Sequence, residues 1–299
     1  LKLNRDKSTF GRHETFPLRH AWLTKGIDAL RETPDIFSVP ESAMVVLGVG
    51  RNMANAIQYW LQASGVVAFK NGVGEPTELG EVLLGDQGDR YLEDEATLWI
   101  LHWLIASNAQ QATGFYWFFD RFAMPRFEDR EALSALTEFV DQELKARRSA
   151  STLKSDISTL LRMYAPTAER GDDHLDSPLG DLGLIEAEAG RHYRSPRLAR
   201  AFLPPIALHF ALAQRFQADP TQPALPIRVL LYGGDGWAAP GSIFRLNEEG
   251  LMSTLEQVME GYPESYELRD TAGLHQLYRR GAIESPLDLL RGYHRSQAV

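Results

Sequence analysis

The chain has 299 residues, 44% of them hydrophobic and 24% charged, with a formal net charge of −9. That length accommodates two or three domains with cores of their own, and the composition is that of a soluble globular protein. It contains no cysteine, which excludes disulfides, thiolate zinc or iron–sulfur sites and a cysteine nucleophile, and fits a cytoplasmic protein.

No apolar run approaches the roughly 20 residues that span a bilayer; the richest, Ala96–Ala106, is short and carries His102. Leu1–Lys7 is polar and charged, unlike a secretory signal, and a chain opening on Leu leaves room for a few residues before it. The negative net charge argues against a positively coated protein, but nucleic-acid binding depends on where Lys and Arg cluster. Lys145, Arg147, Arg148 and Lys154 form one cluster and Arg191 to Arg200 another. Each also reads as a solvated helix face.

In chain order, a basic arm (Lys2–Lys7) leads to the compact polar segment Phe10–Phe16 and then to a helix over Leu18–Leu30. A second helix opens at Pro40, is interrupted by Gly48-Val49-Gly50, and gives way to a helix over Asn52–Ser64 that ends at Gly65. Met53, Ala56, Ile57, Trp60 and Leu61 make its buried stripe, leaving Asn55, Gln58 and Tyr59 on other faces. Val66–Lys70 reads as a strand, Asn71-Gly72 as a hairpin turn and Glu75–Leu84 as the returning arm. Two helices joined by a glycine turn and followed by a hairpin give a winged helix-turn-helix.

Asp94–Asn108 and Thr113–Phe122 are dense in aromatics; Trp99, Trp103, Phe115, Trp117, Phe118 and Phe119 read as core rather than as a base-stacking ladder. A break at Pro125–Glu131 precedes a helix over Glu131–Lys145. The helix Lys154–Tyr164 and two short apolar runs, Leu179–Ile185 and His192-Tyr193, repeat the helix-then-hairpin order as a second, degenerate winged helix. Beyond it come a helix over Ile206–Phe216, a proline-rich linker, a buried strand at Ile227–Tyr232, and helices over Asn247–Glu260 and Ser285–Tyr293 separated by Tyr266–Leu277. The fold class expected is mainly α with small β-hairpin wings: an arm and winged-helix domain over 1–92, a helical aromatic-rich connector over 93–146, a second winged-helix-like module over 147–218 and a C-terminal α/β region over 219–299.

For DNA, the N-terminal end of the second helix of a helix-turn-helix reaches base edges, which selects Arg51, Asn52 and Asn55. Lys70 lies beside the wing tip, and Arg147, Arg148 and Lys154 surround the start of the second candidate recognition helix. Gly233-Gly234-Asp235-Gly236 follows an apolar run but lacks P-loop and dinucleotide spacing, so it reads as a tight loop. Asp172, Asp173, Asp176 and Asp181, with His174, form an acidic loop that either binds a cation or is simply solvated. His102 and His209 sit in apolar helices and read as satisfied core histidines.

Arg12-His13-Glu14 carries more chemistry. Histidine serves as general base or metal ligand near neutral pH, a carboxylate binds a divalent cation or orients the imidazole, and Arg12 and Arg19 neutralise phosphate. His13, Glu14 and Arg19 are therefore the candidate catalytic set, with His13 and Glu14 as ligands to a divalent metal, Mg²⁺ first. Successive residues of an extended segment point to opposite sides, so these groups equally well bond to the first helix and fix the arm against it.

Phe10–Arg19, followed by Trp22-Leu23-Thr24-Lys25-Gly26, resembles the opening motif of a family of proteins encoded in DNA phosphorothioation loci. Leu47–Met53, Leu92–Trp99, Asp176–Leu179 and Leu182–Ile185 are similar to its later blocks, so the resemblance covers roughly 10–295. Arg12 stands where the motif implies glycine, which bears on the backbone before His13. The resemblance implies a bacterial phage-defence protein that nicks one DNA strand so that sulfur can replace a non-bridging phosphate oxygen. It further implies a cysteine desulfurase, an ATPase and a sulfur transferase as partners; a homodimer is the oligomer allowed for. Two other readings stand beside it: a non-catalytic DNA-binding scaffold or regulator of the modification complex, and a helical adaptor that binds proteins alone.

Overall fold

The structure is a computed structural model that describes residues 1–145, 147–165, 177–234, 236–271, 274–281 and 284–297. Its elements run α1 (Trp22–Glu32), α2 (Pro40–Leu47), α3 (Arg51–Ala63), β1 (Val67–Lys70), β2 (Val73–Pro76), α4 (Glu78–Leu84), α5 (Glu95–Ala106), α6 (Thr113–Tyr116), β3 (Arg126–Glu128), α7 (Asp129–Glu143) and α8 (Ala150–Tyr164). Then come β4 (Glu186–Ala187), β5 (His192–Arg194), α9 (Pro205–Ala218), β6 (Ala224–Pro226), α10 (Ile227–Tyr232), α11 (Pro240–Ile243), α12 (Glu248–Gly261), β7 (Tyr266–Thr271), β8 (Leu274–Arg279) and α13 (Pro286–Gln297). The mainly α architecture with small β-hairpins is as expected.

The first 84 residues keep the expected order of helices followed by a hairpin. Gly48 caps α2 in the left-handed region (φ 60°), which turns the chain sharply into α3. Asn71 (φ 53°) and Gly72 (φ 83°) supply the two positive φ angles of a tight hairpin turn, setting Lys70 opposite Val73. The returning arm is shorter than expected: after β2, the Thr77 hydroxyl accepts from Gly80 N–H (3.0 Å) and starts α4.

The second hairpin is part of a larger sheet. β5 pairs with both β4 and β3, so Arg126–Glu128, expected to be a break, is a strand that joins the hairpin from far upstream in the chain. Ile227–Tyr232 is helical rather than a strand; the strand is the preceding Ala224–Pro226. A six-residue apolar run carries no periodicity that separates the two. The 266–279 segment forms the antiparallel pair β7–β8, with β6 on the other side of β8.

One continuous hydrophobic core runs from Phe10 to Leu290. α5 and α9 pass through it, apolar on nearly every side. The aromatics of 99–119 are buried there as expected, Trp103, Phe115, Phe118 and Phe119 completely. Residues Trp117–Arg121 wind one π-helical turn beyond α6. Among the described residues, no helix is long and apolar enough to cross a membrane.

Candidate nucleic-acid interface

Residues 8–16 thread between α3, α6 and α8 and are fastened at several points. Thr9 N–H donates to the Thr113 hydroxyl (2.9 Å), Gly11 N–H to Asp156 Oδ2 (2.8 Å), and the Trp60 indole N–H to the Phe16 carbonyl (3.0 Å). The Arg162 guanidinium donates to the Thr15 carbonyl. The turn is tight: Gly11 has φ 72°, Glu14 49° and Thr15 68°. Left-handed backbone at two consecutive non-glycine residues, one of them β-branched, is costly and persists only where surroundings enforce it. Arg12 itself is not left-handed, so its presence in place of glycine imposes no strain.

His13 sits at the centre of this fastening, fully buried and stacked on Trp60 with its ring edge toward Tyr59 and Phe115. Thr15 N–H donates to Nδ1 (3.2 Å), which places the proton of a neutral ring on Nε2; Nε2 lies 3.4 Å from Asp156 Oδ1 without making a hydrogen bond among the described residues. Neither nitrogen is left with a lone pair for a metal. Glu14, its neighbour, turns the other way into an open cleft.

That cleft, about 730 Å³, lies between the arm, the polar face of α3, Gln111 and the approach to α8. Arg51, Asn55, Gln58 and Gln62 follow one another at helical spacing, and the last three line the cleft together with Gln111, Arg12, Glu14, Arg148 and Tyr59. Among the described residues, the carboxamides of Asn55, Gln58, Gln62 and Gln111 bond to no other group, and Arg12 and Glu14 have no ion-pair partner. Arg148 donates to the Ser8 carbonyl (2.8 Å) and lies 5.9 Å from the Phe10 ring, without a carboxylate. The Tyr59 phenol is held well above its ordinary value by burial and by the charge of Asp156, against the opposing pull of Arg12. It therefore remains a donor at any physiological pH.

A family model described as a protein of unknown function (DUF4007) matches residues 10–294. The chain belongs to this family. It is also similar to two crystal structures of SspB, one of them described as magnesium ion-bound; each has a TM-score of 0.83 and 26% identity, and the match covers 98% of this chain and 88% of that one. A comparison with curated proteins gives no match.

The DUF4007 fold thus gathers Arg12, Glu14, Asn55 and Arg148 into one cleft and places the other sequence-derived candidates elsewhere. Arg51 pairs with Glu41 (2.7 Å) at the exposed start of α3, beside the exposed Asn52. Arg19 lies 5.5 Å from the Trp22 ring. Lys70 and Arg147 are exposed outside the cleft lining, and Lys154 lines a separate cavity of about 320 Å³ between α7, α8 and β5. Arg191 and Arg194, from the second basic cluster, are paired with Asp129 and Glu186. Asp172, Asp173, His174 and Asp176 lie outside the described residues, as does Asp235.

Sequence reasoning missed Asp156 and the glutamines. The signal for Asp156 was its place between Leu153, Ile157 and Leu160 on the apolar face of α8, where a carboxylate has to find partners. For Gln58 and Gln62 it was the polar stripe opposite the apolar one. Among the described residues no three His, Asp or Glu converge on one point. Glu14 lines the same cleft as these carboxamides and two guanidinium groups, and a carboxylate is the kind of hard oxygen donor Mg²⁺ takes with water and phosphate oxygens.

Proposed function

We propose that this protein binds DNA in the cleft formed by the arm, α3 and Arg148, and nicks one strand as a component of DNA phosphorothioate modification in phage defence. The observation that carries the reading is the likeness to SspB over 98% of the chain, joined to a cleft where Arg12 and Arg148 stand without carboxylate partners. Arg12 and Arg148 would each neutralise a phosphate, and the protonated Tyr59 would donate to a phosphate or base oxygen. His13 and Asp156 position these groups by holding the arm turn against α8. The winged-helix reading of the first module, with Asn52 and Lys70 as outer contacts, belongs to the same proposal.

Glu14 would hold a divalent cation, Mg²⁺ by analogy with the magnesium-bound SspB structure, with His13 and Arg19 in supporting places rather than at the metal. When bound, the ion would supply positive charge to the phosphate under attack. The cysteine desulfurase, ATPase and sulfur transferase are the proposed partners. A second reading, a DNA-binding scaffold without its own nuclease activity, is favoured by one observation: His13, the only histidine of the arm turn, is sealed from the cleft and committed to Thr15 and Asp156.

Supercoiled plasmid separates the two. With Mg²⁺ the purified full chain should give relaxed circles and with EDTA none; Glu14→Gln should abolish the reaction. If wild type binds plasmid and yields no relaxed form, the scaffold reading replaces this one.

A further inference from the structure

A helix that reads duplex DNA stands proud of the protein, because it has to enter a major groove about 12 Å wide and about 8.5 Å deep. α3 does this only at its first turn, where Arg51 is already paired with Glu41. Its remaining polar face is flanked: Asn55, Gln58 and Gln62 line the cleft together with the arm, to which Arg148 is bonded, and Gln111. At about 730 Å³ the cleft has the size of a small-ligand pocket rather than of a duplex-binding channel.

Its lining has an uncommon chemistry. Each carboxamide offers one acceptor oxygen and two donor hydrogens, and all four are unengaged among the described residues. Tyr59 is 7% exposed, and its hydroxyl also bonds to no described residue. Carboxamides match the mixed donor and acceptor edges of nucleobases, where phosphate alone would call for cations. The two guanidinium groups stand at the cleft beside them.

Resting on the reading that this cleft binds DNA, we propose that it receives a single unstacked nucleotide drawn from the strand. The carboxamides of Asn55, Gln58 and Gln62 meet the base edge, Tyr59 donates to it or to the sugar, and Arg12 and Arg148 hold the flanking phosphates. Glu14 stands at the same cleft, so the extruded nucleotide is delivered next to the proposed cation. A fully paired duplex would have to be opened locally before it binds, a cost that an already unpaired base avoids.

Fluorescence anisotropy with the full chain tests this, using a short duplex, the same duplex with one unpaired base, the latter with that base replaced by an abasic residue, and a free deoxynucleoside monophosphate. The unpaired duplex should bind at least about tenfold more tightly than the paired one, and removing the base should forfeit most of that gain. Gln58→Ala with Gln62→Ala should erase the preference while leaving the salt slope intact. Arg12→Ala with Arg148→Ala should weaken all strands and lower the salt slope by about 2.

Equal affinity for paired and unpaired strands, with only the arginine variants weakened, overturns the extruded nucleotide and leaves DNA binding in place. If the arginine variants bind as wild type does, the cleft is not the DNA site and both readings fall. If the free monophosphate binds as tightly as the strand, the occupant is a nucleotide rather than a nucleic acid, and the proposal is also overturned.

Discussion

Two of the fully buried histidines, His102 and His13, do different work although Phe115 and Tyr164 connect them through the core. His102 lies in the aromatic core with both ring nitrogens satisfied, Nδ1 by the Tyr164 hydroxyl (2.8 Å) and Nε2 by the Ile243 carbonyl (2.8 Å). Beside it Arg245 is equally buried, spreads over Phe118 and Phe119, and donates to the carbonyls of Phe118 and Phe122. Everything there serves cohesion. His13 is instead a clasp: its partners, Thr15 and Asp156, belong to a strained turn and to a helix more than a hundred residues away, and beyond them lies a cleft of unengaged polar groups. The polar groups around His102 bond within the core, whereas the arm turn leaves Arg12, Glu14 and Tyr59 facing the cleft.

Breaking the core should have the largest effect on stability. Burial, then Arg197 and Arg200, push the Arg245 guanidinium down to about 9, with Asp120 opposing, yet it fills space and satisfies two carbonyls. Arg245→Ala should cost about 3–5 kcal/mol in urea denaturation, since it opens a cavity and orphans those acceptors. Breaking the clasp should cost less and reach further into function. Asp156→Ala should lose about 1–3 kcal/mol by stranding Gly11 N–H and removing the carboxylate beside His13, and DNA affinity should fall with it. If affinity survives that loss of stability, the turn does not organise the cleft.

Acid acts on the core through its buried histidines. Burial, reinforced by Arg245 and Arg200 and opposed by the Ile243 hydrogen bond, takes His102 from 6.5 down to about 3. Burial takes His209, edge-on to Tyr262, down to about 4. The unfolded chain takes up both protons as pH falls through about 6.5, whereas the folded chain binds them only near those lower values. Between the two limits the folded state holds fewer protons, so stability present above about 6.5 is lost on acidification, by about 1.4 kcal/mol per pH unit for each group. His102→Gln should flatten the acid limb between pH 6 and pH 4; an unchanged slope would show that His102 is not what acid attacks.

Local features were legible in the sequence and distant ones were not. Asn71-Gly72 dictates its own turn, Asn247 and Asp94 cap α12 and α5 through their own side chains, and the apolar stripe of α3 fixes which side is buried. His102 read correctly as a satisfied core histidine; His209 is buried as expected, but among the described residues neither of its nitrogens has a hydrogen bond. The cleft was only half visible, because Arg12, Asn55 and Arg148 are brought together by packing between segments far apart in the chain. The strand at Arg126–Glu128 was hidden for the same reason: three residues become a strand only when β5 arrives.

The smallest expected effect sharpens the division within α3. Arg51 and Glu41 form an ion pair at 59% and 69% exposure, and such pairs contribute about 0–1 kcal/mol, so Arg51→Ala should leave the urea midpoint almost unmoved. Its consequence for DNA discriminates between two docking modes. If the strand enters the cleft, Arg51 is an outer contact, and its loss should cost severalfold in affinity while Gln58→Ala with Gln62→Ala costs more. If the first turn of α3 instead reads a paired major groove, Arg51 has to leave Glu41 for a guanine edge. Arg51→Ala should then lose about 1–3 kcal/mol of sequence discrimination with the glutamines silent. Measuring both variants on one set of strands decides whether the exposed end or the flanked middle of this helix meets the base.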